Sequence, residues 1–128
     1  MPSIDPLRYR AHADAIVEQA ARQFRELLRE LASGIDPFPA FPGSYFSYGI
    51  EVEPPARAGE GRGCVVLGED GELYELQVGL DMDHVTADDP AATRSEVRLP
   101  LDDLSAAEYV AYAHNAVLAA LAYIEGRT

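Results

Sequence analysis

Residues Tyr109 to Ile124 read YVAYAHNAVLAALAYI and carry no formal charge. A helix so apolar has to lie in a core, an interface or a membrane. Its start is well marked. Ser105 and Glu108 have the S-x-x-E spacing in which each side chain satisfies the other's free backbone N–H, and Leu104 and Tyr109 are placed for the accompanying hydrophobic staple. Gly126 closes the run. A span needs about 20 strongly apolar residues, and this run is shorter, rich in alanine and interrupted by His114 and Asn115. The sequence therefore predicts a helix over 105–125 in a soluble, cytoplasmic protein.

Steps of about 100° per residue divide that helix into two stripes. Val110, Ala113, His114, Val117, Leu121 and Ile124 form one; Tyr109, Tyr112, Ala116, Ala119 and Tyr123 form the other. The Val/Leu/Ile stripe is the expected core face. The Tyr/Ala stripe is then left over as a partner-binding surface, which predicts a homodimer. On that expectation Tyr112→Glu disturbs assembly more than folding, and Leu121→Glu does the reverse.

A chain of 128 residues fits one domain, 1–128. Ten basic residues, all Arg, stand against twenty-two acidic ones, a net charge of −12. That balance opposes nucleic acid and anionic membrane surfaces, which are held by cationic patches. It permits a basic protein partner. Eleven acids between Glu69 and Asp103 face only Arg94 and Arg98, so most of the excess lies there. The single cysteine, Cys64, excludes an internal disulfide.

A first helix is predicted over 5–33. Asp5 is a plausible N-cap with Pro6 at the first helical position. Ile16, Ala20, Phe24, Leu27, Leu28 and Leu31 recur at three- and four-residue steps, with Arg22, Arg25 and Arg29 opposite. Gly34 is placed for a left-handed cap. The Pro-rich loop 36–43, DPFPAFPG, forbids helix or central strand, and Phe38 and Phe41 are expected to tuck it against the core.

A three-stranded meander is predicted over 45–81. Phe46, Tyr48, Ile50 and Val52 alternate with polar or small residues, and Tyr74, Leu76, Val78 and Leu80 share a face opposite Glu75 and Gln77. Asp70-Gly71 marks the hairpin turn. An acidic connection, 82–104, follows, with a short extended piece around Glu96–Leu99. The order α-β-β-β-α predicts a two-layer α+β domain with the sheet covered on one face by the terminal helices.

Candidate chemistry is sparse. Asp81, Asp83 and His84 combine hard oxygens with an imidazole and form a candidate metal site, without EF-hand spacing. His114 is expected on the core stripe, and His12 at the boundary of the first helix. Glu51, Glu53, Glu75 and Asp81 are candidates for an acid–base pair. No nucleotide cradle, CxxC, HExxH or GxSxG pattern occurs, so no cofactor is expected. These features favour a small acidic, non-enzymatic interaction domain of adaptor, chaperone-like or immunity-like kind. The alternative is a metal- or small-ligand-binding domain or enzyme using the Asp81/Asp83/His84 cluster or a Tyr-lined pocket.

Overall fold

The computed structural model describes residues 3–42, 44, 47–55, 63–80 and 94–126. Its elements run α1 (Pro6–Ser33), β1 (Ile50–Val52), β2 (Cys64–Leu67), β3 (Leu73–Leu80), β4 (Arg94–Pro100) and α2 (Ala106–Gly126). The strands form one antiparallel sheet in chain order. The chain is thus an α+β domain with a helix at each end, and the sheet has four strands where three were expected. The added strand grows from the extended piece around Glu96–Leu99. It pairs with β3 throughout, from Tyr74 opposite Pro100 to Leu80 opposite Arg94. Only Val97 and Leu99 alternate there as large apolar residues. A pattern that short gains its meaning from the neighbouring strand.

Both helix starts follow local chemistry. The Asp5 carboxylate accepts from the Leu7 N–H at 3.1 Å. Ser105 N–H donates to Glu108 Oε1 at 3.1 Å, and Glu108 N–H donates to Ser105 Oγ at 3.2 Å. The end of α1 differs from expectation. Gly34 is right-handed, with φ −83°, and its N–H closes on the Glu30 and Leu31 carbonyls. The β2–β3 turn is held by Gly68 N–H to Glu72 O and Gly71 N–H to Gly68 O. Gly71 has φ +83° and lies against α1, where an added Cβ would come 2.6 Å from Arg29 Cα. Two constraints therefore require glycine at that position.

The core lies between the helices and one face of the sheet. Ile50 and Val52 face Leu67 and Val65, and Leu67 faces Leu73. These five are buried with Leu28, Ile35, Tyr109, Tyr112 and the alanines of α2. The pairing sets the phase of β3 one residue away from the expected stripe. Leu73, Glu75 and Gln77 lie on the helix side, while Tyr74 and Leu76 lie on the other. Leu76 is nevertheless buried, as is Val66.

The outer face of the sheet is covered in part by the Pro-rich loop and its continuation. Phe38 packs on the helix-side core, while Phe41 N–H bonds Ser47 O and Ala40 bridges antiparallel to Tyr48. Ser44 Oγ donates to Glu96 at 2.5 Å, and Arg98 donates to Tyr48 O at 3.3 Å, which ties the loop to β4. Tyr48, expected inside, is exposed. The sheet thus has helices on one side and a loop on the other.

Candidate interaction surface

Helix α2 buries parts of both expected stripes: of the expected core stripe, Ala113 is buried and Val110, Val117 and Ile124 pack on the core. Tyr109, Tyr112 and Ala116 are buried, and Ala119 and Tyr123 are half-buried against the core. The stripe expected to meet a partner therefore packs inside this domain. His114 and Leu121, expected inside, are exposed. The reason is distance. Ala113, Ala116 and Ala120 are wholly buried, and small side chains let α2 approach α1 and β1 closely. Leucines on that side would hold the layers apart.

A cation–π contact anchors the aromatic end. The Arg25 guanidinium stacks 4.4 Å from the centre of the Tyr109 ring. Burial pushes the Tyr109 phenol up to about 12, partly offset by Arg25. Along the edge of the sheet, Asn115 Nδ2 donates to Glu53 O at 2.8 Å. Beside it an open recess of about 300 Å³ is lined by Glu51, Glu53, Asn115, Leu118 and Ala119.

The outward side of the helix pair is apolar. On α2, Leu118 is 53% and Leu121 39% exposed. His114 lies between them and α1, edge-on to Phe24 with ring centres 6.3 Å apart. On α1, no residue before Ala21 is buried. Tyr9 and Ile16 are both 59% exposed and Leu27 40%. A shallow hollow of about 170 Å³ is lined by Ala20, Gln23, Phe24 and Leu27. The stripe of α1 identified in the sequence is therefore only half used. Its buried edge is Ala21, Leu28 and Ala32, while Ile16 and Leu27 remain outside.

The other candidates separate. Asp81, Asp83 and His84 lie outside the described residues. Among the described residues, no group of three His, Cys, Asp or Glu is placed to hold a metal ion. Glu51 pairs with Val66 and Glu75 with Val65, so these carboxylates point to opposite faces of the sheet. Glu75 accepts from Gly63 N–H at 2.9 Å and from Gln77 Nε2 at 3.3 Å. Burial pushes the Cys64 thiol up, and the Glu51 carboxylate 3.8 Å away adds to the effect. A thiol so placed is a poor nucleophile.

A polar cluster fastens the β2–β3 hairpin. Arg98 grips Glu69 with two bonds of 2.7 and 3.1 Å and lies 4.1 Å over the Tyr74 ring. Tyr74 donates its hydroxyl to Asp70, which also accepts from Glu72 N–H at 3.0 Å. The Arg98 hydrogen bond holds Glu69 below its usual carboxylate range. Burial pushes Asp70 up, but the Tyr74 and backbone hydrogen bonds outweigh it and the net shift is down. Burial and Asp70 push Tyr74 up to about 12. These groups satisfy one another, and the cluster closes a turn.

No family model matches the chain, and no curated protein or solved structure is similar enough to be matched with it. Among the described residues, no helix is long and apolar enough to cross a membrane.

Proposed function

We propose that the protein is a small acidic, non-enzymatic interaction domain, of adaptor, chaperone-like or immunity-like kind, that works as a homodimer. The observation that carries this reading is the set of large apolar side chains left exposed on the two helices, Ile16 and Leu27 on α1 and Leu118 and Leu121 on α2, with Phe24 and His114 in edge contact between the helices. Single apolar residues are ordinary on a surface; several on two adjoining helices support a contact site. The acidic excess in 69–103 adds electrostatic preference for a basic second partner, and a cytoplasmic setting agrees with the lone thiol.

A photo-crosslinking residue at Leu118, an exposed position, tests the reading in cells. A discrete protein adduct, with this chain itself or with one other protein, is the expected result. Absence of any protein adduct, against a positive control at a known interface of another protein, would remove the interaction reading.

A further inference from the structure

Tyr9, Ala13, Ile16, Ala20, Gln23 and Leu27 follow one another along α1 at steps of 4, 3, 4, 3 and 4 residues. That is a 3.5-residue repeat, the spacing that keeps one seam turned towards a second helix. Five of the six side chains are apolar, and none of the six is buried. The hollow lined by Ala20, Gln23, Phe24 and Leu27 has i, i+3, i+4, i+7 spacing. Four residues so spaced form the hole that receives a knob from a facing helix.

We infer that this seam is the self-association surface, and that α1 of a second copy lies on it antiparallel, in a register centred near Glu18. The proposal rests on the interaction reading above and names its first partner. In this register Tyr9, Ala13 and Ile16 of one copy stand opposite Leu27, Gln23 and Ala20 of the other. Each large apolar residue of the first half meets the lining of the hollow. At the flank of the seam, Gln19 faces its own copy without charge, and the His12 imidazole falls on the same edge as the Glu26 carboxylate of the second copy.

Charge favours this occupant over the rest of the surface. Residues 5–30 carry Asp5, Asp14, Glu18, Glu26 and Glu30 against Arg8, Arg10, Arg22, Arg25 and Arg29, and are neutral. The whole excess of −12 lies elsewhere. Two copies repel one another through most of their surface and do not along α1. Size is adequate as well. The 28-residue helix is about 42 Å long, and Phe24 joins its seam to the outward Leu118 and Leu121 through His114. The seam from Tyr9 to Leu27 takes up about 27 Å of that length, and with the outward side of α2 beside it approaches the roughly 800 Å² per partner of a standard interface.

Size-exclusion chromatography with light scattering on the full chain tests the proposal. Wild type is expected at twice the 13.9 kDa chain mass. Ile16→Glu is expected to give a monomer with unchanged helical circular dichroism, because Ile16 is exposed. Register is read by disulfide trapping in a Cys64→Ser background. Tyr9→Cys with Leu27→Cys should form an intermolecular bond, and Tyr9→Cys alone should not. A wild-type monomer at every concentration overturns the inference, even where the Leu118 crosslinker captures another protein and the interaction reading stands. A dimer that survives Ile16→Glu also overturns it, and leaves the homodimer reading intact with a different interface. Trapping by Tyr9→Cys alone overturns the antiparallel register.

Discussion

Between Tyr109 and Ile124 the two sides of α2 are equally free of charge, yet one is buried and the other faces out. The buried side holds Tyr109, Tyr112, Ala113, Ala116 and Ala120; the outer side holds His114, Leu118 and Leu121. By hydrophobicity alone the leucines belong inside. What the domain requires is close approach, because α2 contacts both α1 and β1. Alanine gives that approach along the middle of the helix, and the tyrosines fill the wider space at its start. The leucines are then left on the outside, beside the unused half of the α1 stripe. Burial here is decided by the shape of the gap.

Breaking the buried side should have the largest effect. Tyr112→Glu puts a charge into the core without a partner, which costs several kcal/mol against a total stability of roughly 5–15 kcal/mol. Loss of the cooperative thermal transition is expected by circular dichroism. A folded Tyr112→Glu variant would mean that the buried side is wrongly assigned. Ala116→Leu tests the shape argument itself. Overpacking of this kind costs about 1–3 kcal/mol, so a lowered melting temperature is expected although hydrophobicity rises; a stabilised variant would count against the argument. Leu121→Glu on the outer side should change stability by only about 0.5 kcal/mol. The order of these effects is the reverse of what the residue types suggest.

The Arg98 cluster offers a finer test. Glu69 is depressed in the folded state, so its contribution is complete above the usual value near 4.5 and is lost as pH falls through the lower folded value. Tyr74 is raised from 10 to about 12, so its contribution is complete below pH 10 and is lost between the two. Glu69→Gln should flatten the acid limb of a melting-temperature profile and leave the alkaline limb. Because the pair is partly solvated, the effect stays below about 1 kcal/mol. An unchanged acid limb would show that the ion pair contributes nothing. The smallest effect concerns Cys64. Alkylation by iodoacetamide at pH 8 should be slower than for a free thiol, and Glu51→Gln should speed it modestly. Equal rates in the two proteins would remove the role given to Glu51.

Much of the frame was legible because it rests on neighbours in sequence. Asp5-Pro6, Ser105 with Glu108, and Asp70-Gly71 each act over two to four residues, and each is found where the pattern placed it. The phase of β3 was not legible. Leu73, Tyr74 and Leu76 offer apolar positions on both faces, and only the pairing of Leu73 with Leu67 selects one. The strand β4 was legible only as a short extended piece around Glu96–Leu99, since its two large apolar residues count as a sheet strand only beside β3. The exposed seam of α1 did leave a signal, the 4-3-4-3-4 spacing from Tyr9 to Leu27. It overlaps the core stripe in the same helix, and periodicity does not say which edge of a broad stripe is covered.

By itself, the sequence determined the helix starts, the turn between β2 and β3, the α+β class and the acid-rich segment from Glu69 to Asp103. These follow from local hydrogen bonding, from period and from composition. The tertiary structure decided which side of α2 is inside, which face of β3 meets the helices, and that the Pro-rich loop covers part of the sheet's outer face. Those outcomes depend on how close two surfaces come and on which strand lies opposite which. The charge-free run from Tyr109 to Ile124 contains both cases: its sequence required that it be a helix with apolar faces, and only the alanine-sized gap against α1 and β1 determined which of them the domain buried.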